Sequence, residues 1–328
     1  MLTTERTTSA VGHSVSSGMG WEVATDVVCL PLTIVNVYFL GERRAPDRHW
    51  VLVDAGLRWS AAAIRRAAAR RFGPGSRPGA IILTHGHFDH VGVAQELSEY
   101  WDVPIYAHRL ELPYITGQSA YPPPDPAVGG GAMSLLSRFY PRGPFDLGDR
   151  IGWLPDDGTV PAAPEWRWIA TPGHSPGHVA FFRDADKTLI AGDAFVTQHQ
   201  ESLWGVLTQK KAVCRPPAYY TTDWQQARRS VEKLAQLQPQ VAATGHGIPM
   251  RGKDLQHGLD LLVREWNRLA LPSYGRYVTT PAIANERGTV AVPPPVIDLQ
   301  LVKVLGGGMA AWLLYLALCD ARSRSTHD

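Results

Sequence analysis

An α/β (α+β) fold is expected of this chain on three observations. Short runs rich in Val, Ile and aromatic residues recur between Val27 and Gly247 and are closed by turns. Stretches of helical composition lie between several of them, so that strand, helix and strand follow one another. The 328 residues are 45% hydrophobic, enough for one large core or two smaller ones.

Residues 1–20 are rich in Thr, Ser and Gly and are expected to be disordered. "VVCLPLTIVNVYFLG" and "HWVLVDAG" then read as paired strands. "SAAAIRRAAARRF" is a helix that the turn "GPGSRPG" stops, and "AIIL" is a buried strand. "VGVAQELSEYW" reads as one helix and "VPIYAH" as a strand, whereas Tyr121 to Pro144 is a Pro- and Gly-rich loop or lid. "WRWIATPG", "VAFF", "TLIAGD" and "VAATGHG" are later strands, and "TDWQQARRSVEKLAQLQ" is a helix with an Asp or Thr cap. "LQHGLDLLVREWNRLA" is a further helix. The expected organisation is a main domain over 21–270 with a lid insertion at about 110–150, then a C-terminal extension over 271–328 with a Pro-rich spacer and an apolar helix.

The formal net charge is +2, with no basic block or stripe to follow a phosphate backbone. No nucleic-acid partner is expected, and a small-molecule substrate fits better. Cys29, Cys214 and Cys319 are far apart, odd in number and without CxxC spacing, which points to a reducing compartment and packing roles. The N-terminus has no charged start followed by an apolar run, so no secretory signal is expected and the cytoplasm is the expected location.

The stretch "LTHGHFDHVG", Leu83 to Gly92, carries His85, His87, Asp89 and His90 directly after an apolar strand. Downstream, His174 in "TPGHSPGH", Asp193 in "IAGDAF" and His246 in "ATGHG" each follow a β-like run beside glycine. Loops at the strand ends of a rigid sheet can bring such residues together. Imidazole and carboxylate without thiolate suit zinc, iron or manganese, and seven ligands exceed what one tetrahedral ion takes. Two ions sharing a carboxylate use them all. His178 is expected to make a structural hydrogen bond within its turn, and His13, His49, His108, His199 and His257 are expected to be ordinary polar residues.

"THGHFDH", with Asp54 in "LVDAG" upstream and His174, Asp193 and His246 following in this order, resembles the metallo-β-lactamase superfamily from about Val27 to Met250. The resemblance implies an αββα sandwich of two mixed sheets flanked by helices, with a dinuclear site at their edge. It also implies that His85, His87 and His174 hold one ion, that Asp89, His90 and His246 hold the other, and that Asp193 bridges. Asp54 would orient the histidine loop from behind. The cofactors implied are two divalent ions, zinc first, with iron and manganese as alternatives.

A pair of such ions stabilises a bridging hydroxide at neutral pH and polarises a carbonyl or phosphoryl oxygen, which is the chemistry of hydrolysis. Asp89 is expected to orient the nucleophile and to help move its proton. On the same scaffold, a flavodiiron-type oxidoreductase would carry glutamate where His87 stands, and a nuclease or phosphodiesterase would carry basic exosites. The motifs resemble acyl-homoserine-lactone lactonases and glyoxalase II-like thioesterases more than true β-lactamases. A carboxylic ester, lactone or thioester is therefore the expected substrate. Tyr114, Tyr121, Met133, Leu136, Phe139 and Tyr140 of the lid could line an acyl pocket, and Tyr220, beside Tyr219, could donate to the carbonyl or leaving oxygen.

From Val304 to Cys319 there are sixteen residues without a charge. As a helix they would span roughly 24 Å, short of the roughly 30 Å of a bilayer core. Packing against protein, a homodimer partner included, is favoured over a membrane tether, with Pro293 to Pro295 as a stiff spacer.

Overall fold

The computed structural model describes residues 20–297. The expectations for residues 1–19 and for the apolar run Val304 to Cys319 lie outside the described residues. Among the described residues no helix is long and apolar enough to cross a membrane.

The first sheet has seven strands in sequence order, β1 (Trp21–Ala24), β2 (Val27–Pro31), β3 (Asn36–Leu40), β4 (Val51–Val53), β5 (Ala80–Ile82), β6 (Ile105–Ala107) and β7 (Ile151–Trp153). β1 to β4 form an antiparallel meander, and β4 to β7 run parallel. The second sheet is built from β8 (Arg167–Ala170), β9 (Val179–Arg183), β10 (Thr188–Ile190), β11 (Val241–Ala243) and β12 (Met250–Arg251), in the order β12-β11-β10-β9-β8. A separate hairpin, β13 (Ile283–Asn285) and β14 (Gly288–Ala291), follows.

Side-chain alternation along these strands produces four layers. Tyr38, Val53 and Ile82 of the first sheet share a buried cluster with Phe181, Ile190 and Ala243 of the second, so the two sheets pack face to face. The intervening residues point the other way. Phe39, Leu52 and Ile81 meet helices Ala61–Phe72 and Ala94–Trp101, while Phe182, Leu189 and Ala242 meet helices Trp224–Gln236 and Gly252–Arg264. Both faces of each inner strand are buried, which is why the strands are continuous apolar runs. The result is an αββα sandwich.

Two expected helices are broken. The segment expected as one helix from Val91 to Trp101 is a short turn, Phe88–Val91, and a separate helix starting at Ala94. At Gly92 the backbone of residues 56–58 comes so close that a Cβ would lie 2.5 Å from Arg58 N, and Gly92 N donates to Gly56 O at 2.7 Å. That contact takes the place of helix continuation. Likewise the last long helix ends at Arg264, and Trp266–Leu269 is a separate turn. Asp223 caps helix Trp224–Gln236, its side chain accepting from Gln226 N at 2.9 Å.

The lid is more regular than its composition suggests, with helix Ala132–Leu136 and flanking 3₁₀ turns. Its apolar side chains divide. Tyr114 and Tyr121 are buried and stacked at 4.0 Å, whereas Leu136 and Phe139 are exposed. Cys29 and Cys214 are free and buried among other side chains.

Candidate metal centre

β4 and β5 run parallel in one sheet, and β8, β10 and β11 share a direction in the other. Their C-terminal ends therefore open on one edge of the sandwich, and each delivers polar residues there. Asp54 follows β4, the His85 to His90 loop follows β5, His174 follows β8, Asp193 follows β10 and His246 follows β11. All eight are buried.

Three sets of side chains each bring one ligand-type atom per residue within 4.8 Å of the others: His85, His87 and His174; His85, His90 and Asp193; and Asp89, His90 and His246. His87 Nδ1 faces His174 Nε2 at 3.0 Å. Asp193 Oδ2 lies 3.4 Å from His174 Nε2, 3.7 Å from His90 Nε2 and 3.1 Å from His246 Nε2, so it stands between the triads. His246 Nε2 is also 3.6 Å from Asp89 Oδ2.

The outer hydrogen bonds of these imidazoles fix which nitrogen faces inward. His90 Nδ1 donates to Asp54 Oδ2 at 2.8 Å, and His246 Nδ1 donates to Ile34 O at 2.5 Å. His85 Nδ1 donates to Thr84 Oγ1 at 3.0 Å, and that hydroxyl donates in turn to Asp54 Oδ2 at 2.8 Å. Asp54 also accepts Thr84 N–H at 2.8 Å. It adopts a left-handed backbone, φ 62°, which aspartate tolerates better than most residues. A single carboxylate thereby orders the start of the histidine loop and the His90 ring.

The residues present fit divalent cations. Inside the cluster His85 Nε2, His90 Nε2 and Asp193 Oδ1 are buried and have no hydrogen-bond partner. Buried polar atoms are rarely left so, because desolvation without a partner costs about 1–3 kcal/mol each. Burial, reinforced by neighbouring imidazoles, holds His85 and His87 well below the usual histidine range. Burial holds His174 down at about 4. For His90 and His246 burial acts in the same direction, but the carboxylates led by Asp193 outweigh it and shift both upward. Burial thus favours the neutral form that a metal ion requires at His85, His87 and His174, whereas at His90 and His246 an ion would displace the proton that the carboxylates favour.

Glycines let the chain approach this centre. A Cβ on Gly245 would overlap Asp193 Oδ1, and one on Gly192, at φ 51°, would lie 2.7 Å from His178 Nε2. His178 makes the expected bond within its turn, Nδ1 to Thr171 Oγ1 at 2.8 Å, and also a longer-range one, since its Nε2 accepts Asp193 N–H at 2.9 Å. The second bond anchors the backbone of the central aspartate.

Tyr220 stacks on His87, with ring centroids 4.3 Å apart, and its hydroxyl donates to the lid carbonyl of Pro141 at 2.9 Å. Tyr140 packs between Phe88 and Tyr220, at 5.7 Å and 6.3 Å, forming an aromatic wall beside Asp89 and His87. Of the other lid residues, Met133 is buried in the core beneath the second sheet, and Tyr121 lies 4.6 Å from His87. Glu111, buried against both histidine loops, carries no signal in the sequence: "RLELP" resembles any amphipathic turn.

The family model described as the metallo-beta-lactamase superfamily matches residues 30–246. Probable metallo-hydrolase YflN of Bacillus subtilis (strain 168) is 48% identical over 257 residues, covering 78% of this chain and 96% of that protein. Probable metallo-hydrolase YybB of the same organism is 31% identical over 197 residues, covering 60% of this chain and 74% of its own. Among solved structures, a beta-lactamase domain protein from Burkholderia ambifaria shares the fold with a TM-score of 0.51 at 22% identity, over 77% of each chain. On the matched length, the fold and the ordered His and Asp motifs, this chain belongs to the metallo-beta-lactamase superfamily.

Proposed function

We propose that the protein is a dinuclear metal-dependent hydrolase acting on carboxylic esters, lactones or thioesters, with zinc as the first candidate metal. The observation that carries this reading is the convergence of seven ligand-type side chains around the partnerless atoms His85 Nε2, His90 Nε2 and Asp193 Oδ1. The 48% identity to a protein named as a probable metallo-hydrolase supports it.

In this reading His85, His87 and His174 hold one ion, Asp89, His90 and His246 hold the other, and Asp193 lies between them. Such a pair supplies a hydroxide nucleophile at neutral pH and polarises the bond under attack. The chain's own contribution is placement and proton movement. Asp89, with Oδ2 3.6 Å from His246 Nε2, takes the proton of the attacking water and passes it towards the leaving oxygen or sulfur. Phe88, Tyr140 and Tyr220 give the substrate an apolar approach. Tyr220 donates to the substrate oxygen once its bond to Pro141 opens. The net charge of +2 and the aromatic wall favour neutral or singly charged acyl compounds over phosphodiesters.

A substrate panel tests this reading. Lactones, esters and thioesters are expected to turn over faster than bis-nitrophenyl phosphate or RNA, and His87→Ala is expected to abolish turnover while leaving the fold intact. Phosphodiester hydrolysis orders of magnitude faster than every acyl substrate would replace it with the nuclease reading.

A further inference from the structure

We infer that Glu111 is a positioning residue that clamps the two histidine loops against each other and thereby sets the geometry of the His85, His87 and His174 triad. The inference rests on the dinuclear reading above.

Glu111 is wholly buried in the turn after β6, and its four hydrogen-bond donors come from Gly86, Tyr121, Ser175 and Gly177. Its carboxylate takes donors from both ligand-bearing loops. Oε2 accepts Gly86 N–H at 2.8 Å, and Gly86 sits between His85 and His87. Oε1 accepts Gly177 N–H at 2.6 Å and the Ser175 hydroxyl at 2.8 Å, and Ser175 follows His174 directly. The Tyr121 hydroxyl completes the set on Oε2. Each oxygen thus receives two donors, which is what a buried carboxylate needs in the absence of a cation partner.

Close packing makes the clamp stiff. A Cβ on Gly86 would overlap Tyr121 Oη and lie 2.6 Å from Ile115 Cγ2, and a Cβ on Gly177 would lie 2.9 Å from both Glu111 Cγ and His108 Nδ1. Glycine at both positions lets the backbone amides reach the carboxylate. His85 and His87 arrive from the first sheet and His174 from the second, 87 residues after His87. Glu111 joins the two loops through hydrogen bonds that lie away from the ligand atoms themselves. Asp54 braces only the first of these loops, accepting from Thr84 and from His90.

The test compares full-length wild type with Glu111→Gln, which keeps the volume but turns an amide N–H₂ towards two of the donors. Zinc stoichiometry and affinity are read by elemental analysis and chelator competition, and the melting temperature is measured with and without zinc. Loss of a partner behind a ligand set weakens metal binding by about 10- to 100-fold. One zinc is therefore expected to weaken by that factor while the other stays tight. A purely structural Glu111 would lower the zinc-free melting temperature and leave both affinities as in wild type, and that result overturns the inference. If Glu111→Gln does not fold, the double variant Tyr121→Phe, Ser175→Ala decides, since it keeps the carboxylate and removes two of its four donors. Weakening of one zinc by at least about threefold supports the clamp, and wild-type affinity at both sites overturns it. Wild type that binds neither zinc nor any other transition metal overturns the dinuclear reading itself, and the clamp with it.

Discussion

Gly245→Ala adds one methyl group to the candidate metal centre and removes no functional atom, so its effect depends on geometry alone. The backbone at this position is pinned. Gly245 N–H donates to Gly192 O at 2.9 Å, and its carbonyl accepts Asn36 N–H at 2.7 Å. On either side, Thr244 O accepts Asn36 Nδ2 at 2.9 Å and Tyr38 Oη at 2.6 Å, and Gly247 O accepts Asn36 Nδ2 at 2.7 Å. With the loop unable to retreat, the new Cβ would overlap Asp193 Oδ1 and stand 3.2 Å from Asp193 Cγ and 2.8 Å from His90 Cε1. Carbon atoms rest at about 3.5–4.0 Å, so Asp193 and His90 must each give way by roughly half an ångström or more. Metal coordination tolerates about 0.2 Å. Overpacking of this kind costs about 1–3 kcal/mol of stability. The larger consequence falls on binding, because the displaced carboxylate stands between the two triads. At least one zinc is expected to be lost or weakened tenfold or more, with far-UV circular dichroism unchanged. The assay is zinc stoichiometry by elemental analysis together with chelator competition. A folded Gly245→Ala protein that holds zinc with wild-type stoichiometry and affinity would show that Asp193 is not a ligand.

Asp54→Ala leaves Thr84 N–H, the Thr84 hydroxyl and His90 Nδ1–H without their acceptor. At about 1–3 kcal/mol for each buried orphan, the metal-free protein is expected to lose about 3 kcal/mol or more in urea unfolding; a loss under about 1 kcal/mol contradicts the assignment. Tyr220→Phe is expected to keep both ions and lower kcat by about a hundredfold, as for removal of one oxyanion donor. An unchanged kcat assigns the hydroxyl to Pro141 alone. Chelation is expected to lower the melting temperature and added zinc to restore it, since a ligand bound only by the folded state stabilises that state. A melting temperature indifferent to both treatments argues against a resident ion.

The inner strands were legible in the sequence because both of their faces are buried. Val37 to Leu40, Val51 to Val53, Ala80 to Ile82 and Val179 to Phe182 are unbroken apolar runs. The strands missed lie at edges or in the hairpin. β1, β7 and β14 are four residues or fewer and partly exposed, and β12 is two residues long. β7 also pairs with a strand distant in sequence, Ile151 against Ile105, whereas β1, β12 and β14 pair with close neighbours and are too short and exposed to show an apolar run. The ligand-type residues were legible for another reason, since histidine and aspartate beside glycine after an apolar strand form a local pattern. Glu111 has no such pattern. Its role becomes visible only when the turn after β6 is folded against Gly86 and Gly177. The break at Gly92 was equally hidden, because the segment that crowds it lies more than thirty residues earlier, at 56–58.

The two-ion site is checked at its root by the transition-metal content of full-length protein purified from metal-replete medium, set beside Asp193→Ala treated identically. Wild type is expected to carry close to two ions per chain, and Asp193→Ala to lose at least one, because that carboxylate lies within 3.7 Å of His90, His174 and His246. Wild type without bound transition metal, or Asp193→Ala with the full wild-type complement, would contradict the dinuclear assignment.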